Sequence, residues 1–393
     1  MPRASASSAL VIGAGFAGLA AAEALADAGL EVTVLEALDR VGGRVHSRAL
    51  ADGSVVELGA EFVLPGYEAL TAAVRRLGLE LYEKGTLYGE RDPVGGVATT
   101  VSQVREAAAA LTSASGRSIS DALLRLVPAP GPREAIESRV AVSTAHEPED
   151  QPAAVLADGA AGFGPFPSHG VAGGNDLIAR TLARSLGERV RLREPVARVV
   201  WDEDGVRIGE LGADACVVAV PATSAVAIDF DPPLPAWKRE ALAAVRYGHA
   251  AKLFLPLAGE APPSQTLSVP ERFWTWTQLA PGGSGLPVAS SFAGTAAALE
   301  RLCVAGGPAV WTEAVHRLRP DLPFAEAEPL LATWPGGAYS ARTLSSPVDD
   351  AALARPVGPL AFAGEHTAGE WYALMEGALR SGARAAADVL RPG

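Results

Sequence analysis

Gly13, Gly15 and Gly18 stand in the order G-x-G-x-x-G directly after the apolar run Ala9–Ile12. An Ala-rich stretch follows and stops at Gly29, and an acid, Glu36, ends the next apolar run. Each residue type answers a need of diphosphate chemistry. Gly13 permits a tight turn, Gly15 lets backbone approach a pyrophosphate, and Gly18 lets a helix pack closely on a strand. The N-terminus of that helix would turn its free N–H groups to the phosphates. Glu36 would accept hydrogen bonds from ribose hydroxyls and disfavour a 2′-phosphate, which speaks against NADP. NAD and FAD remain.

The next residues decide between them. "ALDRVGGRVHS" places Arg40, Gly42, Gly43 and Arg44 directly after the acid. A second Gly-rich loop with an arginine can close over a diphosphate from its other side. G-x-G-x-x-G, then Glu, then R-x-G-G-R resembles the flavin-containing amine oxidase family. The resemblance implies FAD, touched by Gly13, Gly15, Phe16, Ala17, Gly18, Glu36, Ala37, Gly43 and Arg44. It also implies an α/β chain of two domains: a Rossmann-like FAD-binding fold with an interleaved α+β substrate domain. The expected division is 1–70, 168–225 and 351–393 for FAD, and 71–167 and 226–350 for substrate.

The resemblance continues along the chain. "SVVELGAEFVLPGYEAL" (54–70) is similar to the segment that runs beside the flavin ring. Gly59 and Ala60 would let backbone approach it, and Glu61 and Phe62 would point toward flavin or substrate. Glu61 reads equally well as a carboxylate capping the next turn. Residues 71–165 read as mixed helix and loop, with "SISDALLRLV" and "REAIESRVAVSTA" as amphipathic helices. "HGVAGGNDLIARTLARSL" (169–186) resembles the helix that returns the chain to the FAD domain. "EPVARVVWDEDGVRI" reads as a hairpin turning at Asp204-Gly205, and Val196 matches the position whose backbone meets adenine. Five of the seven tryptophans lie between 225 and 350. Of these, Trp334 stands out, because "TWPGGAYS" resembles the family's loop in front of the flavin.

Lys252 lies in the apolar run "RYGHAAKLFLPL". A buried lone lysine is costly, so it either reaches water at a strand edge or does work. The resemblance assigns it a water near flavin N5, where a cation favours reoxidation by O₂. In mammalian monoamine oxidases a cysteine precedes the tyrosine of "GGAYS" and attaches the flavin. Here Ala338 precedes Tyr339, so FAD is expected to be non-covalent, with Tyr339 as one aromatic wall. The terminal "AFAGEHTAGEWYALMEGALRSGARAA" (361–386) aligns with the family's end motif. It implies Gly364, Glu365, Leu374 and Met375 at the flavin, with Glu365 on ribityl or diphosphate atoms. Leu374 falls where a second cage tyrosine would stand; Tyr372 or Trp371 are the candidates to compensate. His366 and His249 read as structural.

The activity implied is oxidation of a small-molecule amine to an imine by hydride transfer to flavin N5, with O₂ reduced to H₂O₂. Catalytic residues would be Lys252, Tyr339, Glu61, Phe62 and Leu374. The same resemblance leaves open a natural-product tailoring oxidase for a bulky amine or amide, an L-amino-acid oxidase, or a desaturase-like flavoenzyme. Phe62 stands where the α-amino-acid oxidases carry a carboxylate-binding arginine, which weakens the second of these. The 393-residue chain carries 45 acidic and 33 basic residues, a formal net charge of -12. That balance speaks against nucleic acid and anionic membranes as partners. Two cysteines, Cys216 and Cys303, exclude a disulfide framework and a Cys-rich metal site. No uncharged apolar run is long enough to span a bilayer. A cytoplasmic protein without a metal is expected, with room for a homodimer.

Overall fold

The computed structural model describes residues 6–156, 162–334 and 337–391. Its first layer is a five-stranded sheet in the order Leu360–Phe362, Ala215–Val218, Ser8–Ile12, Glu31–Glu36, Val190–Leu192. All four pairings are parallel. Parallel strands are covered on both faces and read as unbroken apolar runs, as "ACVV" in Ala215–Val218 does. Alternate residues serve the two faces. Ala9, Val11, Val34 and Val217 pack under the helices Phe16–Asp27, Leu177–Leu186 and Met375–Leu390. Leu10, Ile12, Cys216 and Val218 pack on the other side against Ala222–Ala227 and Ala236–Ala244. The sheet therefore draws strands from the start, the middle and the end of the chain.

Gly18 is needed where the first helix meets the turn before it. A Cβ there would lie 1.9 Å from the Gly13 carbonyl oxygen. No relaxation of a side chain relieves such a backbone clash.

The second layer is a six-stranded sheet. Its order is Leu330–Trp334, Ala250–Pro256, Val288–Gly294, Phe273–Thr277, Ser264–Ser268, Asp92–Val94, antiparallel except for the last pair. Lys252 sits in Ala250–Pro256, one strand in from the edge, between Phe292 and Ala332. Ala251, Leu253 and Leu255 pack on the helix Ala309–Leu318 through Trp311 and Val315. The period of two then turns Ala250 and Lys252 to the opposite face.

Strands of the parallel sheet fall within 1–70, 168–225 and 351–393, and those of the six-stranded sheet within 71–167 and 226–350. Asp229–Asp231 lies beyond residue 225 yet pairs with Arg198–Trp201. Arg198–Trp201 also forms the hairpin with Val206–Ile208, whose turn is held by Asp202 accepting from the Asp204 and Gly205 N–H groups.

The segment 71–165 contains both expected helices: Ile119–Leu126 is amphipathic, whereas Pro130–Thr144 is buried around most of its circumference. It also contains a strand that a reading of helix and loop misses. Leu81–Gly89 pairs antiparallel with Gly164–Val171. Its inward residues include Lys84 and Thr86, while Glu83, Gly85 and Leu87 face outward. The strand is polar on its buried side, which inverts the usual signal. Among the described residues no helix is long and apolar enough to cross a membrane, and no cluster of acids, histidines and cysteines could hold a metal ion.

Candidate active site

A cavity of about 540 Å³ opens along the carboxyl ends of the parallel strands and runs to the six-stranded sheet. The helix Phe16–Asp27 begins at its wall. Gly15 is the N-cap and offers no side-chain acceptor to the free N–H groups of the first turn. Gly15 borders the cavity, and a Cβ on it would meet no protein atom within 4 Å. Any side chain there would fill the space a phosphate needs. The second Gly-rich loop lies alongside: Gly42 N–H donates to the Ala14 carbonyl at 2.9 Å, and Gly15 and Gly42 form a bridge. Gly13, Phe16, Ala17, Gly43 and Arg44 all border the cavity. Gly18 does not; it lies beneath, against Gly13. Glu36 accepts from Ala14 N–H at 2.7 Å and Leu38 N–H at 2.9 Å. That fixes its carboxylate on the wall beside Ala37 and Val196, with lone pairs left for hydroxyl groups.

The last helix, Met375–Leu390, also starts here. Its N-cap Leu374 gives no side-chain cap, and Gly364, Leu374 and Met375 border the cavity. Two uncapped helix N-termini on one cavity make a site for an anionic group. Together with the Gly15 cradle and the anchored Glu36, these residues fit a dinucleotide.

Glu365 borders the cavity, but its oxygens are already engaged by protein. Oε1 accepts from Arg44 at 2.7 Å. Oε2 accepts from Ala373 N–H at 2.7 Å and from the Ser340 hydroxyl. Burial alone would raise its pKa; Arg44, His366 and Ser340 outweigh that and hold it below the ordinary carboxylate range. Glu365 thus fixes Arg44 and the turn at Ala373, whose φ is +65°, rather than presenting a free carboxylate. Burial pushes the His366 imidazole down to about 4 despite Glu365, so it is neutral near pH 7.

Lys252 borders the cavity and is not alone. Its Nζ donates to Glu61 Oε2 at 2.7 Å and to the Glu57 carbonyl at 2.8 Å. Lys84 reaches the same carboxylate, donating to Glu61 Oε1 at 3.2 Å and to Gln278 at 3.3 Å. Glu61 is therefore a buried link between two lysines and does not border the cavity. Against burial, Lys252 and Lys84 keep its carboxyl below the usual range. The reading that points Glu61 at the flavin is corrected by this pairing, and so is the turn cap. The three side chains carry a net single positive charge.

Glu57 lies next to this group, where burial pushes its carboxyl up to about 7 even though Lys84, Asn175 and Ser47 oppose the rise. A raised carboxyl binds more protons in the folded state than in the unfolded one between about 4.5 and about 7. Stability then falls as pH rises through that window. Glu57→Gln removes the fall. Urea unfolding should show the variant gaining on the parent by a few kcal/mol between pH 4.5 and pH 7; parallel curves would contradict the assignment.

Aromatic residues close the substrate side. Tyr339, Trp334 and Phe292 border the cavity, and the Trp334 indole donates to the Leu58 carbonyl at 2.8 Å. Phe292 and Tyr339 rings stand 6.1 Å apart. Gly59 and Ala60 border the cavity as well. Phe62 does not, which corrects its placement at the flavin. It packs against Tyr88, Trp274 and Trp276 at 5.2, 5.3 and 5.6 Å. The two residues weighed as replacements for a second cage tyrosine also stand off the cavity. Tyr372 lies under Arg342, and Trp371 packs on Tyr67 and Arg380. Pro335 and Gly336 of "TWPGGAYS" lie outside the described residues. Ala338 borders the cavity, whereas Cys216 is in the parallel sheet and Cys303 is exposed. No described cysteine can reach a flavin there.

The family model of flavin-containing amine oxidoreductases matches residues 16–135 and 148–390. The chain belongs to that family. The amine oxidoreductase family sets the cofactor as FAD and the activity as oxidation of an amine. AofH of Mycobacterium tuberculosis is 28% identical, over 97% of this chain and 96% of its own. Putrescine oxidase of Kocuria rosea is 28% identical, over 98% and 95%. A putrescine oxidase structure with putrescine bound superposes with a TM-score of 0.81 at 24% identity, covering 97% of this chain and 98% of that one. The last likeness gives the fold.

Lys84, Glu57 and Gln278 are the site residues that sequence reading missed. One signal was available for Lys84. In "LYEKGTLYG" it shares its side of the strand with Tyr82, Thr86 and Tyr88, so a lysine stands among residues that could be buried.

Proposed function

We propose that this amine oxidoreductase oxidises its amine at the carbon beside nitrogen and uses O₂ as acceptor, forming an imine and H₂O₂. The observation that carries this reading is Lys252, a cation held at the cavity wall by the Glu61 carboxylate and the Glu57 carbonyl. Bound here, FAD would supply the hydride acceptor for the amine carbon and the route by which the electrons reach O₂. Lys252 supplies a fixed positive charge where O₂ becomes negative, in a cavity lined mainly by apolar groups. Tyr339, Trp334 and Phe292 supply apolar faces that orient the amine. Glu36, the Gly15 turn and the two helix N-termini hold the cofactor without a covalent bond. We read 1–70, 168–225 and 351–393 as the FAD domain and 71–167 and 226–350 as the substrate domain. The unpaired Cys216 and Cys303 support a cytoplasmic location.

Two measurements test this. Acid precipitation should leave all flavin in the supernatant; flavin retained in the pellet would contradict non-covalent binding. With a turned-over amine, a peroxidase-coupled assay should show one H₂O₂ formed for each O₂ consumed. Amine turnover that depends on another acceptor and yields no peroxide would sink the oxidase assignment.

A further inference from the structure

Two guanidinium groups lie beyond the aromatic end of the cavity. Arg91 and Arg139 are 4% and 2% exposed. Nε and Nη1 of both have no hydrogen-bond partner. Arg139 Nη2 donates to the Tyr88 and Gly162 carbonyls at 3.2 and 2.7 Å. Among the described residues neither has a carboxylate. Elsewhere Lys84 and Lys252 share Glu61, Arg319 has Asp321, and Lys238 is held by two carbonyls. Arginine keeps its proton, so two such groups carry a charge that no described carboxylate balances. Burial, and for Arg91 the repulsion of Arg139, pull both pKa values down, Arg139 to about 10.

The surroundings connect this pair to the catalytic cavity. The Arg91 guanidinium lies 3.7 Å from the Trp274 ring centroid and 5.4 Å from Tyr88. Arg139 lies 5.5 Å from Tyr88 and 5.2 Å from Phe163. Tyr88 and Trp274 pack in turn on Phe62. Tyr339, on the cavity wall, feels both Tyr88 and Arg91 electrostatically. A small cavity adjoins the two arginines; its one carboxylate, Glu90, is paired with Arg105 at 2.6 Å.

We propose that Arg91 and Arg139 form an anion subsite and that the substrate is an amine whose far end carries a carboxylate. The inference rests on the amine-oxidase reading above. The amine would sit at the flavin and the carboxylate at the guanidiniums, so the packed rings of Phe62, Tyr88 and Trp274 would have to part to admit the chain. Stacked, planar donors with free Nε and Nη1 groups match a carboxylate's two oxygens.

The test uses the FAD-loaded enzyme and terminal amines of graded length, each as the ω-carboxylate, its neutral amide and its phosphonate. Anaerobic flavin reduction is followed for each. The carboxylate should react on the order of 100-fold more efficiently than the amide, chiefly through a lower apparent Kd. Arg91→Gln and Arg139→Gln should each erase most of that preference. Equal use of carboxylate and amide by the parent enzyme overturns the proposal. So does an equal loss on both by the variants. A phosphonate that outperforms the carboxylate overturns the carboxylate assignment. Should the variants not fold, the parent still decides: a simple aliphatic carboxylate must compete with the amine, and its amide must not. If no amine in any form reduces the flavin, the oxidase reading fails, which is a separate result.

Discussion

Glu61→Gln lowers folding stability by about 3–5 kcal/mol at neutral pH. Glu61 is the carboxylate of both Lys84 and Lys252, and all three side chains are buried. Glutamine keeps the shape and leaves two ammonium groups facing a neutral amide. Burial lowers a lysine's pKa, and in the parent Glu61 and Tyr82 more than reverse this for Lys84. Without Glu61, part of the cost is met by a lysine losing its proton. The pH dependence is specific. A carboxyl with a depressed folded pKa stabilises fully above its unfolded value, about 4.5, and loses that contribution as pH falls through the folded pKa. The raised Lys84 behaves oppositely. Its contribution is full below about 10.5 and disappears only as pH rises past its folded value. The gap between parent and variant should therefore be widest near neutrality and should narrow in acid, below about pH 4.5. Urea unfolding across that range measures it. A gap below about 1 kcal/mol, or one independent of pH, would show that the triad is not held together by charge.

Lys252→Met slows reoxidation of the reduced enzyme by O₂ on the order of 100-fold and slows reduction by amine less than about 10-fold. Lys252 is the member of the triad that borders the cavity. Removing it takes the group from a net charge of plus one to zero, at the place proposed for the reaction with O₂. Methionine is close in length and keeps the apolar stem packed, so the change is mainly electrostatic. Lys252→Arg retains the charge and should recover part of the rate. Stopped-flow spectroscopy separates the two half-reactions. Equal slowing of both would mean that Lys252 shapes the cavity and has no particular role toward O₂. Glu61→Gln supplies a second check, since it frees Lys252 from its carboxylate. It should disturb folding far more than it disturbs the reaction with O₂.

The FAD end of this enzyme was legible in the sequence because local backbone chemistry makes it. The G-x-G-x-x-G turn, Glu36 and the "GGR" loop act through main-chain groups that lie close in sequence, so spacing carries the information. The terminal segment was legible for the same reason, as a strand, a turn and an uncapped helix. The aromatic and charged end was not. Glu61 is joined to Lys84 and Lys252, 23 and 191 residues away, and no local pattern announces a partner at such separations. Lys84 lies on a strand whose buried face is polar, so the rule that apolar faces go inward reads that segment as a loop. Glu365 shows the converse limit. Its place at the cavity followed from the motif, but its work on Arg44, Ser340 and Ala373 depends on distant residues. Leu374 stands on the wall of the cavity that Tyr339, Trp334 and Phe292 also line. Those come from the strands and loop of the second sheet rather than from the neighbours Trp371 and Tyr372.

The central claim is that an amine gives its electrons to the flavin held in this cavity. An anaerobic titration of the holoenzyme with amines tests it most directly. The expected result is stoichiometric bleaching of the flavin absorbance by at least one amine class, followed by full return of colour and release of H₂O₂ on admitting air. A holoenzyme that dithionite bleaches and no amine does, across monoamines, polyamines and carboxylated amines, would contradict it.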